Sequence, residues 1–248
     1  MKEITVLGGV NKKGEAEAFN ELTMRRGEMY AIVGNTGSGK SRLIKDIEQM
    51  VLCDSVSKRQ ILLDGQPVNM NDRNLLSLSL IAHLGQNMRF IMDNTVAEFL
   101  NLHQTCRNQS KFSVNDAISI ANTITAEHID SNQSLSSLSG GQARALMVVD
   151  IACICNSPIV LIDEVENAGI DKTLAFEVLS DIEKLVLVVT HDPHTALMAD
   201  KRIIMHNGGV MKVLKRSKDE KILLDKLDKT YKEQYKLQQL MRNGERLQ

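Results

Sequence analysis

The chain has 248 residues, 43% of them hydrophobic and 25% charged, enough apolar material for one large core or a core with a smaller lobe, and not a disordered tail. Thirty Lys+Arg against 31 Asp+Glu leave a net charge of -1, so no global field draws nucleic acid or an anionic membrane. Five Phe, three Tyr and no Trp argue against base-stacking platforms and against an aromatic belt at a membrane interface. The longest apolar stretches, residues 148–155 and 159–162, are broken or ended by Asp150, Asn156 and Asp163, far short of the ~20 residues a spanning helix needs. Residues 1–6 carry no hydrophobic core before a small-residue cleavage site, so no secretory signal is read. Cys53, Cys106, Cys153 and Cys155 have no partners at metal-ligand spacing and are expected to be buried, reduced thiols, which places the chain in the cytoplasm.

Residues 2–7 alternate weakly and end at Gly8-Gly9, which predicts a strand and a turn. Residues 11–17 read as an exposed hairpin tip, with residues 19–24 as the returning strand. Residues 29–33 form a short apolar run bounded by glycine, the pattern of a buried parallel strand. Leu43, Ile44, Ile47, Met50 and Val51 then fall at helical spacing, predicting a helix over residues 41–53. From about residue 87 to 137 the pattern is helical and polar, the mark of a separate helical lobe. Alternation of strand and helix resumes at residues 159–163, 173–183, 185–190 and 203–205, which implies a parallel sheet covered on both faces. From Lys215 onward the chain is charge-rich, and Leu224, Leu227, Tyr231 and Tyr235 make an amphipathic helix expected to pack on its own domain.

Between the strand and the helix lies Gly34-Asn35-Thr36-Gly37-Ser38-Gly39-Lys40-Ser41, a full match to G-x-x-x-x-G-K-[ST] in its proper context. Glycines let backbone N–H groups converge on phosphate oxygens, and the helix start adds unpaired donors and a positive dipole end. Lys40 supplies a point charge between the outer phosphates, and the Ser41 hydroxyl is a ligand for Mg²⁺. Downstream, Ile159-Val160-Leu161-Ile162 runs into Asp163-Glu164. Ligands of open α/β sheets sit beyond the C-terminal strand ends, so Asp163 is placed to hold Mg²⁺ through its water shell and Glu164 to polarise the attacking water.

Leu138-Ser139-Gly140-Gly141-Gln142 adds the deciding motif. With the phosphate loop and the acid pair it resembles the ATP-binding cassette (ABC) ATPases, over about residues 1–214. The resemblance implies an α/β fold: a P-loop NTPase core of ABC type with a mostly parallel sheet, an N-terminal antiparallel β part and an inserted helical subdomain at about residues 87–137. Beyond the resemblance, residues 215–248 are expected to form the charged amphipathic C-terminal helix. The resemblance further implies that Gln86 joins the core to the helical lobe and contacts ATP and Mg²⁺, and that His191 touches the γ-phosphate. It makes Asp171 the aspartate of the loop after the catalytic glutamate. Ser139, Gly140, Gly141 and Gln142 are implied to meet ATP held by a second subunit, in a homo- or heterodimer packed head to tail.

The chain departs from the family at Val165, where a proline is usual, and in the loop of residues 166–171, one residue longer than the common form. No aromatic stands near residues 10–12, where the family often stacks adenine, and Ala143-Arg144 is a weak version of the arginine-rich follow-on. Two functions are compatible with these motifs. The first is the ATP-binding subunit of a transporter, peripheral on the inner face of the membrane and paired with a separate permease; residues 86–90 and 94–100 resemble the segment that meets coupling helices. The second is an ATPase that remodels a protein or a metallocofactor enzyme; no nucleic-acid partner is expected.

Overall fold

A computed structural model describes residues 1–86, 88–107, 112–163, 169–181, 183–242 and 244–246. The elements begin with β1 (Glu3–Leu7), β2 (Glu21–Arg25), β3 (Met29–Val33), α1 (Lys40–Glu48), β4 (Gln60–Leu63), β5 (Gln66–Pro67), α2 (Arg73–Leu80) and β6 (Ile81–Leu84). They continue with α3 (Val96–Arg107), α4 (Val114–Ile124), α5 (Gly140–Val149), β7 (Ile159–Asp163), α6 (Lys172–Ser180) and β8 (Leu185–Val189). The last are α7 (Pro193–Met198), β9 (Lys201–His206), β10 (Gly209–Lys215) and α8 (Lys218–Arg242).

Two sheets result. An antiparallel one runs β2-β1-β4-β5, and a six-stranded one runs β10-β9-β3-β8-β7-β6. In the second, β9, β3, β8, β7 and β6 are parallel and only β10 runs against its neighbour. Its strands show why their sequences read as unbroken apolar runs. Ala31, Val160, Ile162, Val186 and Val188 face one core, shared with α4, α5 and α6. Tyr30, Ile32, Ile159, Leu161, Leu185 and Leu187 face a second, shared with α1 and with Ile4, Val6, Leu22, Met24 and Ile61 of the antiparallel sheet. A sheet buried on both faces needs apolar residues at both parities.

Three expectations are corrected. The helix expected over residues 41–53 stops at Glu48, because Met50 and Cys53 adopt left-handed backbone at φ 48° and 63°. Met50 and Val51 still reach the core, but from a turn that leads into β4. The helical lobe expected from residue 87 begins regular helix only at Val96; residues 88–94 form neither helix nor strand, and residues 87 and 108–111 lie outside the described residues. The cysteines are all free, but Cys53 and Cys106 are exposed rather than buried, one in the turn after α1 and one on the outer side of α3. Among the described residues, no helix is long and apolar enough to cross a membrane.

Candidate functional site

The parallel register brings the motifs to one edge. Ile32 of β3 is level with Val189 of β8, Val189 with Asp163 of β7, and Ile162 of β7 with Leu84 of β6. The residues that follow these strand ends therefore open on the same side: Gly34 after β3, His191 after β8, Asp163 closing β7, and Gln86 after β6. This is the edge where open α/β sheets take their ligands.

The phosphate loop is held from two sides and by a bond of its own. Gly208 N donates to the Ser38 carbonyl (2.8 Å), Ser38 N to the Asn35 carbonyl (3.0 Å), and Lys12 Nζ to the Gly37 carbonyl (2.6 Å). Lys40 is buried, and its Nζ donates to the carbonyls of Gly34 (2.8 Å) and Asn35 (3.2 Å), so the ammonium sits under the arch of the loop. Gly39 lies at φ 103°, and a Cβ there would stand 2.8 Å from Gly208 Cα. Only glycine serves on both counts. Asn35, Thr36, Gly37 and Ser41 are exposed at the mouth. Beside the loop lies a cleft of about 450 Å³ lined by Gly34, Asn35, Thr190, His191, Asp192 and Arg202.

His191 is exposed on that cleft. The next residue, Asp192, caps α7 and accepts from Thr195 N (2.9 Å), Thr195 Oγ1 (2.8 Å) and Lys172 Nζ (2.5 Å). Burial pushes the Asp192 carboxyl up, but the Lys172 and Thr195 donors outweigh it and hold it below the ordinary carboxylate value. Asp163 is partly buried, and its backbone carbonyl accepts from Arg144 Nη2 (3.2 Å). Arg144 Nη1 donates to the Gly85 carbonyl (2.6 Å), so one buried guanidinium ties the residue before Gln86 to Asp163. Gln86 itself is exposed. Glu164, with Val165, Glu166, Asn167 and Ala168, lies outside the described residues.

Ser139 is the N-cap of α5 in a capping box: Gln142 N donates to Ser139 Oγ (3.2 Å), and Ser139 N to Gln142 Oε1 (2.9 Å). Gln142 Nε2 also donates to the His128 carbonyl (2.7 Å), so this side chain is buried and turned into the protein. Gly140 and Gly141 leave the start of α5 open at the surface. Asp171 caps α6, accepting from Thr173 N (2.9 Å). Among the described residues, no hydrogen bond joins residues 139–142 to the phosphate loop.

The sequence gives no role to Arg144, Lys12 or Lys172. Arg144 stood in plain sight two residues after the five-residue motif, but a lone arginine carries no sign of the two carbonyls it bridges. Lys12 and Lys172 look like surface lysines, and only the fold sets one against the phosphate loop and the other against Asp192.

Residues 20–167 match the family model described as ABC transporter. Over 248 residues the chain is 46% identical to an uncharacterised ABC transporter ATP-binding protein of Methanocaldococcus jannaschii, covering 100% of this chain and 95% of that one. It is 29% identical over 201 residues to the lipoprotein-releasing system ATP-binding protein LolD of Psychrobacter arcticus, covering 76% of this chain and 86% of that one. Among solved structures, CbiO1 of Clostridium perfringens, part of the cbiONQ ABC transporter complex, superposes with a TM-score of 0.67 at 19% identity, covering 96% of this chain and 100% of that chain. A dimeric ATP-binding cassette in a post-hydrolysis state, bound to ADP and Pi, gives a TM-score of 0.62 at 22% identity, covering 86% of this chain and 99% of that chain. A chain that carries this family's model across more than half its length, and is nearly half identical to an ABC transporter ATP-binding protein throughout, belongs to the ABC transporter family as one of its ATP-binding ATPase subunits.

Proposed function

We propose that the chain hydrolyses Mg-ATP between two copies of itself or of a close relative, packed head to tail, and that this cycle drives a separate membrane permease. The observation that carries the reading is the shared edge of Gly34, Gln86, Asp163 and His191 at four neighbouring strand ends. Gly34, Asn35, Thr36, Gly37, Ser38, Gly39 and Lys40 bind the phosphates. Ser41, Gln86 and Asp163 hold the metal. Hydroxyl, amide and carboxylate are all hard oxygen donors, and Mg²⁺ takes few protein ligands beside its phosphates and waters. When bound, Mg²⁺ neutralises charge on the β- and γ-phosphates.

Glu164 accepts a proton from the attacking water as its oxygen bonds to the γ-phosphorus and the bond to the β-phosphate oxygen breaks, leaving ADP and phosphate. His191 meets the γ-phosphate from across the cleft. In the partner, Ser139 Oγ and the open N–H groups of Gly140 and Gly141 close on the same phosphate, while Gln142 shapes that helix start and Asp171 lines the interface. Residues 1–214 form the ATPase domain with its helical subdomain at about 87–137, and 215–248 the charged amphipathic C-terminal helix. Past Gln86, the exposed Met88, Ile91 and Met92 offer the permease an apolar contact, which supports the transporter reading and a position on the inner face of the membrane.

The test is Glu164→Gln, which keeps shape but cannot take the proton. With ATP and Mg²⁺ this variant is expected to run as a stable dimer in size-exclusion chromatography with light scattering, while turnover falls by at least about a hundredfold. A monomer under ATP, or wild-type turnover, overturns the reading.

A further inference from the structure

We propose that the C-terminal helix α8 is a positioning element of the ATPase site, with Tyr231 tying the loop of Asp171 to the loop of His191. The proposal rests on the roles given above to those two residues. Tyr231 is the hub. Its Oη accepts from Lys172 N (3.1 Å), the backbone group next to Asp171. Its ring lies under Lys172 Nζ, 4.5 Å from the centroid, and that ammonium pairs with Asp192, the residue after His191. The ring also stacks on His194 at 5.1 Å between centroids and 25° between planes. One turn earlier, Asp228 Oδ1 lies 2.5 Å from His194 Nε2, fixing the same loop a second time. Tyr235 extends the stack at 6.0 Å.

These contacts are specific. Lys172 and His194 are both buried although polar, and α8 supplies the groups that face them. Leu224 and Leu227 lie half-buried on the same face of α8, and it is Tyr231 and Asp228 that meet Lys172 and His194. The helix also ends at the other functional surface. A Cβ on Gly169 would stand 3.6 Å from Arg242 Nη2 and 3.8 Å from Gly141 Cα, so the end of α8 flanks the open start of α5. A helix that grips both loops makes them move as one. Displacing either by an ångström costs rate more than nucleotide affinity, because the hydrogen bonds that hold the phosphate loop come from Gly208, Lys12 and the loop itself.

The experiment compares Tyr231→Phe, which keeps the stack and loses the Oη acceptor, with Tyr231→Ala, which loses both. Steady-state ATPase, ATP affinity by calorimetry and thermal midpoints are read for each in the full-length chain, alongside His191→Ala. The expected result is a kcat about tenfold lower for Tyr231→Ala and several-fold lower for Tyr231→Phe, with ATP affinity within about twofold of wild type and the Tyr231→Phe midpoint unchanged. Wild-type kcat in both variants while His191→Ala is inactive overturns the proposal alone. Full turnover by His191→Ala overturns the site reading and the proposal with it. If the Tyr231→Phe kcat falls only as its affinity or midpoint falls, the residue is merely structural and the proposal fails.

Discussion

At the scale of single residues, the charge most committed to the fold is Arg59. It is fully buried and has no place in the nucleotide chemistry. Its Nε and Nη2 donate to Glu17 (2.8 and 2.7 Å), its Nη1 to Asp46 of α1 (2.9 Å), and Nη2 again to the Gly208 carbonyl (3.0 Å). Glu17 in turn accepts from Gly9 N and Val210 N, and Ser57 Oγ donates to Asp46. One guanidinium thus joins the N-terminal hairpin, the helix behind the phosphate loop and the β9–β10 turn. Removing it leaves the Glu17 carboxylate buried without a cation and Asp46 with only the longer pair to Arg42 (3.5 Å). Arg59→Ala is expected to cost about 3–5 kcal/mol, read as a thermal midpoint lower by on the order of 10 °C. A shift within a degree or two would show that water replaces the arginine. Nothing in the local sequence Ser57-Lys58-Arg59-Gln60 distinguishes this arginine from a surface one, since both its partners are remote in the chain.

At the scale of elements, α8 shows how far periodicity reaches. The spacing of Leu224, Leu227, Tyr231 and Tyr235 locates a helix and its inward face, and the observed helix turns those residues toward its own chain. Which surface receives it is a tertiary matter. The pH dependence follows from that docking. Burial pushes the Tyr231 phenol up to about 12, and burial does the same for Tyr30 under the antiparallel sheet. An unfolded tyrosine ionises near 10. The stability these phenols contribute is therefore complete below about pH 10 and is lost as pH rises toward 12. Denaturant titrations from about pH 9 to about pH 12 are expected to show this loss, with a shallower slope in Tyr231→Phe. Superimposable profiles for the two proteins would refute it. In α5 the same separation of levels applies. The capping box is legible as Ser139-x-x-Gln142, but the third bond of Gln142, to the His128 carbonyl, is long-range.

At the scale of the molecule, the start of α5 and the phosphate loop are separate surfaces of one chain, each open to solvent. Two copies head to tail would pair each surface with the other's. Ser139→Arg should leave ATP binding by each subunit nearly intact and abolish hydrolysis, because a long cation at the start of α5 prevents closure. Lys40→Ala should lose ATP affinity by about tenfold or more. Mixed, the two inactive proteins are expected to recover part of the activity, since the Lys40→Ala chain lends an intact α5 to the intact phosphate loop of the other. Normal hydrolysis by Ser139→Arg alone would show that α5 does not act on a neighbour's nucleotide.

The motifs and their order, the two-faced parallel strands and the C-terminal helix are determined by sequence alone, because each depends on residues close together in the chain. Hydrophobic period, glycine conformation and capping are local forces. What lay beyond the sequence is what joins distant segments. The early end of α1 follows from its turn into β4, which the periodicity of Met50 and Val51 conceals. Arg144 joins Gly85 to Asp163 only because β6 and β7 end side by side, and Lys172 meets Asp192 only because the starts of α6 and α7 lie side by side. Charged side chains carry no periodicity of their own. Their partners are set by the packing of the elements beneath them, and so the tertiary structure decides what they hold.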